Sequence, residues 1–337
     1  MARRVDDPRC LLHVIGDVYG SDLSPDTVED RLVDLGLAVS IAAQLEDLKA
    51  GFDANYYRAS ACLQATDRAG FDQHLQAATG LATRMGEPFE TWRASTIRSL
   101  HSLLVGDVDR SIHEAETALV QAGESVPEAV SAYGAQLLAV YRIQGDWTAL
   151  AEMAELIAAA ASDNPGLPVL RTTLARSYCD LRRDEAAMAV IDDDISNGFV
   201  QFPYDAAWIG SMTTLSEICV YLRRRDGAKI LYDWLRPWNA QVSVANVTSQ
   251  GPVAFHLGCL ATLLGRVDEA KGHFTDALEV SQKLGFPYWI ARTQIAQACF
   301  LRETARPHGA EGLIWDALDA ARQHGFGALV EQAEALA

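Results

Sequence analysis

Seven short turns, each set between helix-patterned stretches, recur along this chain at Ala65, Gly106, Gly145, Leu181, Arg223, Gly265 and Ala305. The intervals of 41, 39, 36, 42, 42 and 40 residues restrict the possible folds more than any other feature. The clearest copies read Leu104-Val-Gly-Asp-Val-Asp-Arg-Ser, Ile143-Gln-Gly-Asp-Trp-Thr-Ala-Leu and Leu264-Gly-Arg-Val-Asp-Glu-Ala. In each, glycine or a polar residue ends one helix and aspartate opens the next. Its carboxylate can take up orphan N–H groups at the positive helix end.

The stretch before each turn has helical spacing over about 15–19 residues, with small residues where helices pack closely. The stretch after it carries the i, i+4, i+7, i+8 stripe, as in Ala270-x-x-x-Phe274-x-x-Ala277-Leu278 and Ala310-x-x-x-Ile314-x-x-Ala317-Leu318. Strand signals are nearly absent. Val242–Val247 alternates, but it is too isolated to be expected to build a sheet. The pattern predicts an all-α array of helical hairpins over 50–326. Residues 1–49 read as N-terminal helices continuing an upstream repeat, and 327–337 as a capping helix. The length allows two ordinary domains or one array, and the 40-residue interval favours one array of about seven pairs.

Leu174-Ala-x-x-Tyr178, Leu257-Gly258 and Ala270-x-x-x-Phe274 resemble the tetratricopeptide repeat, whose signature includes L-G-x-x-Y and A-x-x-x-F. That resemblance implies a right-handed helical-hairpin solenoid with units of ~40 residues, longer than the usual ~34. Longer stretches point further: Ala2–Pro8, Leu23–Leu32, Pro168–Arg176, Leu231-Tyr-x-x-Leu235-x-Pro237, Leu257–Gly265 and Gly285–Thr293. In order and spacing they resemble the C-terminal tetratricopeptide region of bacterial multidomain signalling ATPases. In those proteins a nucleotide cyclase or a DNA-binding domain accompanies the ATPase. The departures are equally plain. No Gly-Lys dipeptide is present for a phosphate loop, the strands of a cyclase are missing, and no helix-turn-helix tail follows the cap. The chain therefore reads as the solenoid alone: a separate product or a portion of a longer protein, with the cyclase arrangement favoured.

Charge excludes some partners. Asp and Glu number 45 against 28 Lys and Arg, a net charge of −17, which opposes binding of nucleic acid or anionic lipid by this segment. No stretch approaches the roughly 20 apolar residues of a membrane helix, and a cytoplasmic location is expected. The six cysteines form no C-x-x-C pair, and Cys179, Cys219, Cys259 and Cys299 fall 40 residues apart. That regularity suits small apolar residues buried at equivalent helix positions, with no redox or metal role.

No cofactor, metal or catalytic constellation is expected. Asp192-Asp-Asp194 fails the calcium-loop pattern, because Asn197 and Pro203 stand where Gly and Glu are needed; it reads as a solvated helix end. The eight histidines form no tight ligand pair, although His101 and His113 flank one turn. Asn246-Val-Thr248 is a sequon by pattern only. There is no nucleophile elbow.

Two groups remain as a candidate interaction surface. Phe202, Tyr204, Trp208, Trp234 and Trp238 form the most aromatic segment, read either as packing of a longer connection or as a binding spot. Asn239–Gly251 beside it is a polar loop able to close over a ligand. Arg93, Arg98, Arg142, Arg171, Arg176 and Arg292 sit on first helices, where they can line a concave groove and grip acidic groups of a protein or peptide. The expected function is a non-catalytic interaction and sensing module serving an ATPase or cyclase partner. A stand-alone peptide- or metabolite-sensing regulator, and a transcriptional-regulator fragment without its DNA-binding domain, are the alternatives.

Overall fold

The computed structural model describes residues 7–21, 23–245, 247–304 and 309–337. The turn expected at Ala305, the sequon residue Asn246, His308 and most of the run Ala2–Pro8 lie outside them. The described residues form seventeen α-helices and one two-stranded ribbon, so the chain is all-α apart from that ribbon. Two helices lead, α1 (Pro8–Ser21) and α2 (Val28–Gln44). Then come α3 (Leu48–Gln64) with α4 (Arg68–Met85), α5 (Pro88–Leu104) with α6 (Val108–Ala122), and α7 (Ala129–Gln144) with α8 (Trp147–Asp163). They are followed by α9 (Pro168–Asp180) with α10 (Asp184–Ser196), and α11 (Trp208–Tyr221) with α12 (Arg225–Leu235). The last are α13 (Val253–Leu264) with α14 (Val267–Leu284), α15 (Pro287–Glu303) with α16 (Ala310–His324), and α17 (Gly327–Leu336).

Local chemistry sets the turns. Asp47, Asp67, Asp107 and Asp146 cap α3, α4, α6 and α8, each accepting from the N–H three residues on at 3.0–3.1 Å. Just before each Asp the backbone enters the left-handed region. Glycine takes that place at Gly106 and Gly145, but Glu46 and Thr66 also occupy it. One hydrogen bond closes both kinds of turn: Asp107 N–H donates to Ser102 O at 2.9 Å, and Asp67 N–H to Cys62 O at 2.8 Å. The α2–α3 turn at Glu46 has this geometry as well, so regular hairpin geometry already begins within residues 1–49. Asp107→Ala is expected to cost about 1 kcal/mol, measured as a lowered urea midpoint at unchanged slope.

Consecutive helices pack on one another, but contacts also join elements far apart in sequence. One core cluster combines Leu63 of α3, Phe71 of α4 and Leu100 of α5 with Phe255 of α13, Trp289 of α15 and Phe286 just before α15. Another brings Val140 of α7 against Ile314 of α16 and Leu329 of α17. Polar contacts follow the same path. Arg68 Nη1 donates to Leu284 O at 2.7 Å, and Trp147 Nε1 to Glu331 Oε2 at 3.0 Å. At Gly327 a Cβ would lie 2.1 Å from Gln144 O, so α17 sits directly on the end of α7. The early hairpins thus close onto the late ones.

The ribbon corrects the expectation for Val242–Val247. Strand β1 (Val242–Ala245) pairs antiparallel with β2 (Thr248–Pro252), with a bulge between Ser243 and Val244. A lone hairpin is marginal in water. This one is stable because Val242 and Val244 are buried in the same cluster as Leu63, Leu100 and Trp289. Its root is tied down by a polar chain. Arg31 Nη2 donates to Gln64 Oε1 at 2.6 Å, Gln64 Nε2 to Gln241 Oε1 at 2.8 Å, and Gln241 Nε2 to Pro25 O at 2.8 Å.

Candidate functional site

First helices α7, α9, α11, α13 and α15 each send one or two polar side chains to one interior place. Arg142 stands in the last turn of α7 and donates from Nε to Asp180 Oδ2 at 2.8 Å and from Nη2 to Ser177 Oγ at 3.1 Å. Arg176 and Asp180 share a face of α9, four residues apart, and are ion-paired. Arg176 Nε also donates to Glu217 Oε2 of α11 at 2.8 Å. Arg292 Nη2 of α15 lies 2.8 Å from the same oxygen. The Arg292 guanidinium lies against two rings, 4.8 Å from the centroid of Phe255 and 5.0 Å from that of Trp289.

His256 of α13 completes the cluster. Its Nε2–H donates to Gln250 O at 2.7 Å, which fixes the tautomer and leaves Nδ1 as an acceptor. Nδ1 faces Glu217 Oε1 at 3.7 Å, and neither atom has a hydrogen-bond partner. Burial holds the imidazole at a pKa of about 4, with Arg292 and Arg176 adding to it and Glu217 opposing. Burial also works against the Glu217 carboxylate, but the guanidinium groups of Arg292 and Arg176 outweigh it and hold the acid well below the usual range. Arg142 is the exception among the arginines. There desolvation outweighs the attraction of Asp180, and its pKa is lowered.

A sign follows for His256. Between its ordinary pKa of about 6.5 and about 4, the unfolded chain carries the proton and the folded one does not. Folding stability therefore falls as pH drops through that window. Wild-type protein is expected to lose up to about 3 kcal/mol there from this residue, and His256→Gln to show a flatter slope. Urea titrations at stepped pH measure both.

These groups surround a hollow. A cavity of about 200 Å³ has Arg142, Arg176, Arg292, Asp180 and Glu217 as its charged wall residues. Trp147, Tyr288 and Trp289 supply aromatic wall, and the ribbon tip Val247–Gln250 and α17 close its sides. It shares Arg176, Glu217 and Arg292 with a wider recess of about 970 Å³ that reaches Cys179, Cys259 and Cys299. Gln136 of α7 is buried on the inner wall, donating from Nε2 to Thr96 O at 2.7 Å and Val247 O at 3.3 Å. Both partners are carbonyls, so the amide orientation is fixed. Its Oε1 is left without a donor.

The remaining first-helix arginines are satisfied elsewhere. Arg93 pairs with Asp53 at 2.5 Å and stacks 4.0 Å from the centroid of Tyr56. Arg98 pairs with Glu114 at 2.6 Å, and Arg171 with Asp194 at 3.0 Å. Asp194 is buried, so the acidic triplet is not wholly a solvated helix end. The aromatic segment does not reach the cavity either. Phe202 and Trp208 are buried in the core around α11 and α12, with Trp234 and Trp238 packed against it. Tyr204 is half-exposed, its hydroxyl donating to Asp26 Oδ1 at 3.0 Å. Asn239–Gly251 does wall the cavity, through its ribbon tip.

The four regularly spaced cysteines fall on α9, α11, α13 and α15, all as free thiols. Burial pushes Cys179, Cys219 and Cys259 up to about 12, which keeps them as protonated, small apolar groups. His101 pairs with Asp72 at 3.0 Å. Among the described residues no group of three or more His, Cys, Asp or Glu is placed to hold a metal, and no helix is long and apolar enough to cross a membrane.

Fold and site together define an all-α protein of packed helical hairpins whose interior is charged and partly hollow. No protein-family model matches the chain, and no curated protein matches it.

Proposed function

We propose that this protein is a non-catalytic sensing module, a tetratricopeptide-like array that takes its ligand inside the coil of hairpins. One observation carries this reading: four first helices, α7, α9, α11 and α15, converge ionisable side chains on a cavity that the chain leaves unfilled. Burying three guanidinium groups is costly unless they are paired. A fold that only needed stability would be served as well by apolar residues there. A concave groove open to an extended peptide has less support, since the chain's own ribbon packs against α3, α11 and α13. In the setting that the sequence resemblance implies, occupancy would be passed to an attached or associated ATPase or cyclase. The route is mechanical: α7 and α17 both wall the cavity and are in contact, so a ligand that binds one arrangement better shifts the population toward it.

The test is a thermal-shift screen of the purified chain against total metabolite extract and acidic peptides, with saturation binding on the hits. Ala139 also walls the cavity, so Ala139→Phe should abolish binding. Trp238→Ala, in the aromatic segment, should leave it intact. The opposite pattern would move the site to the aromatic segment, and absence of any saturable ligand would overturn the reading.

A further inference from the structure

We infer that the inner cavity takes a small hydroxy-carboxylate: one carboxylate, a nearby hydroxyl and an apolar body of modest size. This rests on the sensing-module reading and goes beyond it in naming the ligand chemistry. Charge sets the first requirement. Three guanidinium groups face two carboxylates across the cavity, and His256 is neutral, which leaves one positive charge in excess inside a protein of net −17. A single carboxylate balances that excess. A phosphate, at close to two negative charges, overshoots it, and a zwitterion leaves it uncorrected. Arg142 is the guanidinium least compensated by its surroundings, since burial outweighs its one carboxylate partner. Planar guanidinium groups accept a carboxylate through paired N–H donors.

The second requirement is a donor. Gln136 is a residue of the cavity wall, and its Oε1 is a buried acceptor without a partner, the amide orientation fixed by two backbone carbonyls. Leaving such an acceptor unmet costs about 1–3 kcal/mol, and a ligand hydroxyl removes that cost. The third is size and polarity. A cavity of about 150 Å³ holds benzene, so this one, at about 200 Å³, suits six to ten non-hydrogen atoms. Leu100, Leu103, Ile143 and Trp289 line it beside the polar groups and face an aliphatic or aromatic body.

Titration calorimetry on the full chain tests this with 2- and 3-hydroxy acids of that size, among them 2-hydroxyisocaproate, 2-hydroxyisovalerate and 3-hydroxybutyrate. The comparison set is 4-methylvalerate, leucine, isoamylamine and inorganic phosphate. At least one hydroxy acid should bind saturably. Its deoxy counterpart should bind about tenfold more weakly, as one hydrogen bond in a buried site predicts, and isoamylamine and phosphate should not bind. Arg142→Met should lose tenfold or more for every carboxylate. Gln136→Leu should keep carboxylate binding while the hydroxy-over-deoxy preference falls to near unity, a readout that a folding defect does not imitate. Failure of all hydroxy acids, or an unchanged preference in Gln136→Leu, overturns the ligand class. If metabolite extract still shifts the melting temperature while the acids do not, the sensing module stands and only its ligand is different. If neither shifts it, both fall.

Discussion

Glu217→Ala is expected to remove about 3–5 kcal/mol of folding stability, the range for breaking a buried ion pair from one side. The cost does not come from lost contact area. Glu217 Oε2 is the shared partner of Arg176 Nε and Arg292 Nη2, each at 2.8 Å, and its side chain is only 10% exposed. Without the carboxylate, two guanidinium groups stay in the interior. Asp180 then has Arg142 and Arg176 to serve, and Arg292 is left to its aromatic neighbours. Set against whole-protein stabilities of about 5–15 kcal/mol, the loss is large. Glu217→Gln keeps the shape and an acceptor oxygen, so its penalty should be smaller, and the difference between it and wild type reports mainly the charge. The folded-state pKa of Glu217 is depressed, so its contribution is complete above the ordinary carboxylate range and disappears as pH falls far below it. Wild type and Glu217→Gln should therefore converge in strong acid. Urea unfolding from neutral pH downward measures the convergence, and parallel curves would mean that the carboxylate is not ionised in the fold.

The helices and most of the site's arginines were legible in sequence for the same reason: both follow the periodicity. Cys179, Cys219, Cys259 and Cys299 marked equivalent helix positions, and one turn of helix before each stands Arg176, Ser216, His256 and Ala296. Residues three apart share a helix face. That column, with Glu217 one place on and Arg292 two turns before Cys299, already contained much of the cluster. What the column does not give is which arginines meet. Arg142, Arg176 and Arg292 converge while Arg93, Arg98 and Arg171 find local carboxylates, and the difference depends on how far each hairpin is rotated on the last. Small rotations accumulate over successive packed hairpins, so contacts like that of Gly327 with Gln144 are set by a sum no single turn reveals. The non-glycine turns were hidden for another reason. Thr66 and Arg182 take up left-handed backbone that glycine usually marks, because the capping hydrogen bond and the packed helices on either side hold them there. The ribbon was missed because alternation over a few residues is a weak signal, and its stability comes from helices distant in sequence.

That dependence makes the ribbon the second place where one methyl group has a large effect. Gly251 has φ +71°, and a Cβ there would lie 2.2 Å from ring atoms of Trp289. Two costs combine in Gly251→Ala: about 1–2 kcal/mol for an L-residue in left-handed backbone, and about 1–3 kcal/mol for forcing a packed side chain aside. The sum should fall at about 2–5 kcal/mol, toward its upper part because Trp289 is buried and has no free direction to move. Its ring is packed at 5.5 Å from Phe255 and at 5.0 Å from the Arg292 guanidinium. Displacing it carries the strain into the charged cluster, so Gly251→Ala should weaken ligand binding as well as folding, although residue 251 does not itself line the cavity. Gly272→Ala provides the opposite sign. That glycine lies within α14 with no atom near its Cβ position, so alanine should stabilise by about 0.5–1 kcal/mol. Urea unfolding of the two variants side by side decides the matter. Equal and small effects would mean that the ribbon and Trp289 are loosely packed, and that the cavity wall they form yields without cost.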